Sequence, residues 1–108
     1  MSTRRTRNRH VDAVTFLEGL NKGPLSLGQL IAAIRLGEEL TQPELAKKLG
    51  ITKSSLNDLE KKRKLASPER AARYAKILGY PPQLFVQLSL QDQLRESGLK
   101  MTVEVKAA

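Results

Sequence analysis

Residues 52–64 read TKSSLNDLEKKRK, and the polar groups in that stretch differ in kind from one position to the next. Thr52, Ser54 and Ser55 carry hydroxyls, Asn57 an amide, Asp58 a carboxylate and Lys53 an ammonium. Lys61, Lys62, Arg63 and Lys64 then follow as an unbroken run of cations. At 3.6 residues per turn, Lys53, Ser54, Asn57, Asp58 and Lys61 fall on one face of a helix, and Leu56 and Leu59 fall on the other. A helix that opens on small polar residues and is followed by cations suits the reading of a polyanionic duplex. Its first turn can hydrogen-bond to base edges, and its flanks can neutralise phosphates. Bond-making chemistry has no comparable support. There is no Ser-His-Asp set, no paired carboxylates in a pocket pattern, and no glycine-rich run ahead of Lys53-Ser54 that would make a phosphate loop, so no enzyme and no cofactor are expected. His10 is the only histidine and cysteine is absent, so no metal site is expected either.

The charge of the 108-residue chain supports the same chemistry. Nineteen Lys and Arg stand against eleven Asp and Glu, a formal net charge of +8. Such an excess favours a polyanionic partner, although many soluble proteins are basic for no specific reason. Its distribution says more. Ten basic residues lie between Lys47 and Lys76, with only Asp58, Glu60 and Glu69 opposing them. A second cluster, Arg4, Arg5, Arg7 and Arg9, precedes the first apolar pattern. Residues 1–10 have no apolar residue but Met1 and are expected to form an unstructured basic arm. That arm could enter a minor groove or simply add nonspecific attraction. Apolar runs are far short of a membrane span, and no apolar stretch follows the basic start as a secretory signal requires, so a cytoplasmic protein is expected.

The elements that must hold the polar helix can be read from caps and stops. Val11, Val14, Phe16, Leu17 and Leu20 suggest a short helix over 11–20. Ser26 with Gln29, and Thr41 with Glu44, have the spacing of capping boxes, and each precedes a helical apolar pattern. The first of these helices is expected to run to about residue 39, with Leu27, Leu30, Ile31 and Ile34 inward. The second places Pro43 in its first turn, Leu45, Ala46 and Leu49 inward, and Gly50 at its end. Thr52 caps the polar helix, and Ile51 plugs the space between it and its predecessor. Ser67-Pro68 opens a further helix packed through Ala71, Ala72, Ala75 and Leu78 and ended by Gly79. Pro81-Pro82 opens the last, with Leu84, Phe85, Leu88 and Leu94 inward, ending near Gly98. Met101, Val103 and Val105 then alternate with Thr102, Glu104 and Lys106, which predicts a strand. In a helical domain such a strand has no partner in its own chain; it is frayed or pairs with a copy of itself.

The segment 41–63 is therefore a pair of helices joined by a four-residue turn. An ordinary αα-hairpin in a bundle would use the same residues, but it rarely leaves a polar outer face with this much positive charge beside it. Ile34-Arg35, Thr41-Gln42, Leu45-Ala46, Leu49-Gly50-Ile51, Ser54-Ser55-Leu56 and Leu59-Glu60 with the basic run after it resemble the phage repressor and Cro helix-turn-helix family over about half the chain. This resemblance implies an all-α, five-helix bundle that binds operator DNA as a homodimer, here carrying a short C-terminal β-strand paired across the dimer. Domain limits follow: a basic arm over 1–10, a helical DNA-binding domain over 11–98, and a strand and tail over 99–108. Two positions depart from the family pattern. Lys61-Lys62-Arg63-Lys64 stand where many members have glycine after the glutamate, and Pro43 is uncommon at its place.

Site roles are implied by the resemblance. Lys53, Ser54, Asn57 and Asp58 would read bases: Lys53 donating to guanine, Asn57 pairing with adenine, and Asp58 accepting from cytosine. Asp58 could instead pair with Lys61 or Lys62 on the helix face. Gln42, Thr52, Ser55, Lys61, Lys62, Arg63 and Lys64 would hold the phosphate backbone, and Arg35 and Glu60 would pair structurally. The flanking helix and strand also make the layout similar to HigA-type antitoxins, which repress their own operon and bind a ribonuclease toxin. A stand-alone regulator, or a protein-binding module that has lost DNA binding, remains the alternative.

Overall fold

The computed structural model of the chain describes residues 25–108; the expected basic arm and the expected helix over 11–20 lie outside them. Five helices follow in order: α1 (Leu27–Gly37), α2 (Gln42–Leu49), α3 (Lys53–Glu60), α4 (Pro68–Leu78) and α5 (Pro82–Glu96). Each of the first four begins at a side-chain cap. The Ser26 hydroxyl accepts from the Gln29 N–H and the Gln29 amide oxygen accepts from the Ser26 N–H, which closes a capping box. Thr41 and Glu44 repeat the motif at α2. The N–H and hydroxyl of Thr41 hold the exposed Glu44 carboxyl below its ordinary value of 4.5. Thr52 caps α3 and Ser67 caps α4, each accepting from the N–H three residues on. Such caps satisfy helix-end donors that would otherwise need water. Gly50 (φ 75°) and Gly79 (φ 83°) end α2 and α4 in the left-handed conformation, where a side chain is strained. α1 is two residues shorter than the sequence suggests. The chain leaves it at Gly37, and Glu39 takes a positive φ of 59° to start the turn into α2.

The core is one cluster, fed by every helix. Leu27, Leu30, Ile31 and Ile34 of α1, Leu45 of α2, Leu56 of α3 and Phe85 of α5 are fully buried. Each such side chain contributes about 1.5–3 kcal/mol of transfer free energy. The stripes read from the sequence are those that pack, with two exceptions. On α4, Tyr74 is buried and Ala72 is only half-buried. On α5 the buried set is Phe85, Ser89 and Asp92, while the expected Leu84, Leu88 and Leu94 are half-buried. The two polar residues go inward because main-chain groups await them. The Ser89 hydroxyl donates to the Ala66 carbonyl at 2.7 Å, and Asp92 Oδ2 accepts from the Leu27 N–H at 3.1 Å. Asp92 also pairs with Arg95 at 2.7 Å. Burial raises its carboxyl above the ordinary 3.8, against the Leu27 N–H and the Arg95 guanidinium, which pull it down.

One close approach fixes the angle of α3. A Cβ built on Gly28 would lie 2.0 Å from the Leu59 carbonyl oxygen. α1 and α3 therefore meet backbone to backbone, and only glycine fits between them.

Among the described residues no strand forms within the single chain. Residues 99–108 carry no ladder. They run back along α5, held by two glutamine side chains. Gln91 donates to the Met101 carbonyl (2.7 Å) and accepts from the Val103 N–H (2.8 Å), and Gln87 accepts from the Val105 N–H (3.0 Å). The alternating pattern marks an extended segment, but its hydrogen bonds go to side chains of a helix.

Candidate nucleic-acid interface

The turn between α2 and α3 decides what α3 can touch. Gly50 reverses the chain, and the Ile51 N–H donates to the Ala46 carbonyl at 3.0 Å, which closes α2. Ile51 packs half-buried against the core, and Thr52 starts α3. Its hydroxyl accepts from the Ser55 N–H (3.0 Å) and donates to the Ser55 oxygen (2.9 Å). Thr52, Lys53, Ser54 and Ser55 are all exposed, while Leu56 and Leu59 on the opposite face are buried at 0% and 7% exposure. The opening turn thus stands in solvent and its far side anchors in the core.

Behind that turn lies a polar splint between α1, α2 and α3. Arg35 pairs with Glu60 through two hydrogen bonds, Nε to Oε2 at 2.8 Å and Nη2 to Oε1 at 3.1 Å, and donates a third to the Leu40 carbonyl at 3.1 Å. The pair is the one expected from the resemblance. Gln42 joins it, its amide nitrogen donating to Glu60 Oε1 (3.0 Å) and to Asn57 Oδ1 (3.2 Å). The Gln42 side chain is therefore turned inward as a strut. Its main-chain N–H, at the first position of α2, has no intrahelical acceptor and is the group suited to a phosphate.

The expected site residues separate under this geometry. Lys53 and Ser54 are exposed and their side chains make no hydrogen bond or ion pair among the described residues. Asn57 is half-buried with its oxygen taken by Gln42, which leaves its amide hydrogens as the available donors. Asp58 is engaged. Its carboxylate meets Arg63 Nε at 3.0 Å and Lys64 Nζ at 4.0 Å, and its carbonyl accepts from the main-chain N–H of both residues. The partners are Arg63 and Lys64 rather than Lys61 or Lys62, because the chain turns back after Glu60. That turn needs a positive φ of 62° at Lys62. A residue other than glycine therefore holds a left-handed conformation there, and the departure from the family pattern leaves the turn in place. Lys61 stays exposed with no ion pair among the described residues, and Lys62 lines a cleft with Asp92 and Arg95.

Two basic residues escaped the sequence reading. A cleft of about 370 Å³ lies beside the start of α3, lined by Thr52, Ser55, Lys64, Arg70, Arg73 and Tyr74 among others. Arg70 and Arg73 are one turn apart on α4, both exposed and without an acidic partner among the described residues. Arg73 lies 5.7 Å from the centre of the Tyr74 ring, an approach that restrains its long side chain. Their spacing at i and i+3 was visible; that α4 carries them to the α3 cleft was not.

Residues 31–85, just over half the chain, match the family model described as helix-turn-helix. The chain belongs to the helix-turn-helix family of phage repressor and Cro type. No curated protein matches the chain, and no solved structure does. As a helix-turn-helix protein it is a DNA-binding regulator. In this family's terms α2 and α3 are the motif, α3 is the recognition helix, and α1, α4 and α5 are the scaffold that holds them. Among the described residues no helix is long and apolar enough to cross a membrane.

Proposed function

We propose that this protein is a sequence-specific repressor that occupies operator DNA as a homodimer, and that it is the antitoxin of a toxin–antitoxin pair that represses its own operon. The observation that carries the DNA reading is the exposure of Thr52 to Ser55 at the start of a helix whose opposite face is locked in the core. Lys53 and Ser54 read base edges there, with Asn57 as an amide donor one turn on. The main-chain N–H of Gln42, the hydroxyls of Thr52 and Ser55, and Lys61 to Lys64 take phosphates, which set register without carrying sequence information. Asp58 reads a cytosine only by releasing Arg63, so it acts first as the brace of the following turn. Two copies read half-sites about one helical turn of DNA apart.

Gel shifts with the gene's own upstream DNA test this at two salt concentrations. Binding should survive competitor DNA and weaken steeply as salt rises. Lys53→Ala and Ser54→Ala should each relax base preference by about 1–3 kcal/mol. An unchanged preference in both variants removes α3 as the reader. Absence of any shift favours a protein-binding module. The antitoxin assignment rests on the segments that flank the helix-turn-helix, and a ribonuclease toxin is its expected partner. Recovery of a small basic protein on pull-down from the native host supports it. Recovery of none, with no neighbouring gene for such a protein, leaves a stand-alone regulator.

A further inference from the structure

A side-chain amide can be turned over at almost no cost in shape, and turning it exchanges a donor for an acceptor. In this molecule the sense of the Asn57 amide is dictated from α1. Arg35 donates to both oxygens of Glu60, and a carboxylate so held can only accept. Gln42 must therefore show Glu60 its nitrogen, which donates to Oε1 at 3.0 Å. The same nitrogen donates to Asn57 Oδ1 at 3.2 Å, so Asn57 must turn its oxygen toward α2. The Asn57 nitrogen is left on the other arm with both hydrogens unspent. It bonds to no group among the described residues and keeps contact with solvent. Asn57 stands four residues after the exposed Lys53, one turn further along α3.

We propose that Gln42 is a positioning residue for base recognition, and that through it Asn57 selects a keto base, guanine or thymine, in each half-site. The proposal rests on α3 being the reader of operator DNA, and it names the base class for one of its contacts. In the major groove guanine offers O6 and N7 and thymine offers O4, all of them acceptors. Cytosine and adenine put an amino group at the matching place. An outward amide nitrogen meets the keto bases with a hydrogen bond and the amino bases with a donor against a donor. The second case strands two polar groups where water has been expelled, which costs more than a bond left unmade in water. The adenine pairing implied by the resemblance needs both the oxygen and the nitrogen of Asn57 on the DNA side. Here the oxygen is spent on α2.

Selection of operators from randomised DNA by the full chain, followed by sequencing, tests this. Asn57→Ala marks the position that Asn57 reads, as the one whose preference disappears. Wild type should favour one base there by about tenfold or more. Asn57→Asp keeps the shape and the bond from Gln42 but points an acceptor outward. Guanine or thymine on the touched strand should then give way to cytosine or adenine, a reversal visible whichever strand is sequenced. Gln42→Met keeps the length of the side chain and removes its amide, so Asn57 can turn over. The preference at that position should fall to within about threefold, while positions read by Lys53 and Ser54 keep theirs. A Gln42→Met variant that weakens every sequence alike and leaves the Asn57 preference intact makes Gln42 a strut only, and overturns the proposal. So does an Asn57→Asp variant whose preference does not reverse, or an Asn57→Ala variant that alters no position. In each of those cases Lys53→Ala still relaxes its own position, and α3 remains the reader. If no position responds to Lys53→Ala, Ser54→Ala or Asn57→Ala, the reading of α3 fails and this proposal falls with it.

Discussion

Removing Glu60 tests whether the polar splint carries the helix-turn-helix. The Glu60 side chain is 7% exposed and accepts from Arg35 Nε, Arg35 Nη2 and Gln42 Nε2 at 2.8, 3.1 and 3.0 Å. Glu60→Ala leaves the Arg35 guanidinium, 16% exposed, with the Leu40 carbonyl as its remaining acceptor. Breaking a buried ion pair by deleting one partner costs about 3–5 kcal/mol. Water can reach the partly exposed Arg35, so the expected loss is about 2–3 kcal/mol. For a domain of this size, that lowers the melting temperature by roughly 10–20 °C. Urea titrations should show the midpoint fall with an unchanged slope. Replacing both partners, Arg35→Met with Glu60→Leu, should recover most of the loss because no charge is stranded. DNA binding of Glu60→Ala, measured where the variant is folded, should weaken, since Gln42 loses its anchor. A loss below about 1 kcal/mol in Glu60→Ala would mean that solvent replaces the pair at little cost, and that the motif is held by its apolar packing alone.

Other perturbations reach different parts of the molecule. Gly28→Ala would raise stability by about 0.5–1 kcal/mol in an open helix, but here the new Cβ meets the Leu59 carbonyl at 2.0 Å. A loss of about 1–3 kcal/mol by thermal melting is expected, and a gain would show that α1 and α3 do not touch through their backbones. Asp92 ionises at higher pH in the folded chain than the ordinary 3.8, so the folded state binds its proton more readily. Its contribution to stability is fully present below 3.8 and shrinks as pH rises through the raised folded value. The stability of wild type relative to Asp92→Asn should therefore improve as pH falls through that window; a flat or opposite trend in urea midpoints would contradict the burial argument. Arg70→Ala with Arg73→Ala should lower the salt slope of DNA binding by about 0.9 for each phosphate that is no longer neutralised, with base preference intact. An unchanged slope would place the α4 cleft outside the DNA footprint.

The parts of the fold that could be read from sequence are those set by local rules. Ser26, Thr41, Thr52 and Ser67 announce helix starts because a cap needs only a short polar side chain beside a periodic apolar run, and each caps as expected. Gly50 and Gly79 announce stops for the same reason. What hydrophobic periodicity could not show were polar side chains that go inward to meet main-chain groups far away. Ser89 serves Ala66 and Asp92 serves Leu27, and neither need is visible on α5 itself. Gly28 carried no local signal, since its reason is the backbone of Leu59. In the candidate site, the exposure of Lys53 and Ser54 followed from the helical face. The engagement of Asp58 by Arg63 and Lys64 depended on a turn taken at positive φ by a lysine. The alternation in the tail predicts a strand, yet residues 99–108 carry no ladder within the chain, because hydrophobic alternation does not tell a ladder from a glutamine clamp.

The bond from the Leu27 N–H to Asp92 spans 65 positions of sequence. It makes the final helix part of the beginning of the domain, because the first turn of α1 is completed only when α5 has arrived. Shortening the protein to its DNA-reading motif would strand that amide and the Ala66 carbonyl together. The smallest autonomous unit must therefore extend through Arg95, and a cut near Gly79 should unfold the whole domain rather than release a working half. Pairings this remote close late, so the reading head should become competent only at the end of folding, when the last helix has docked.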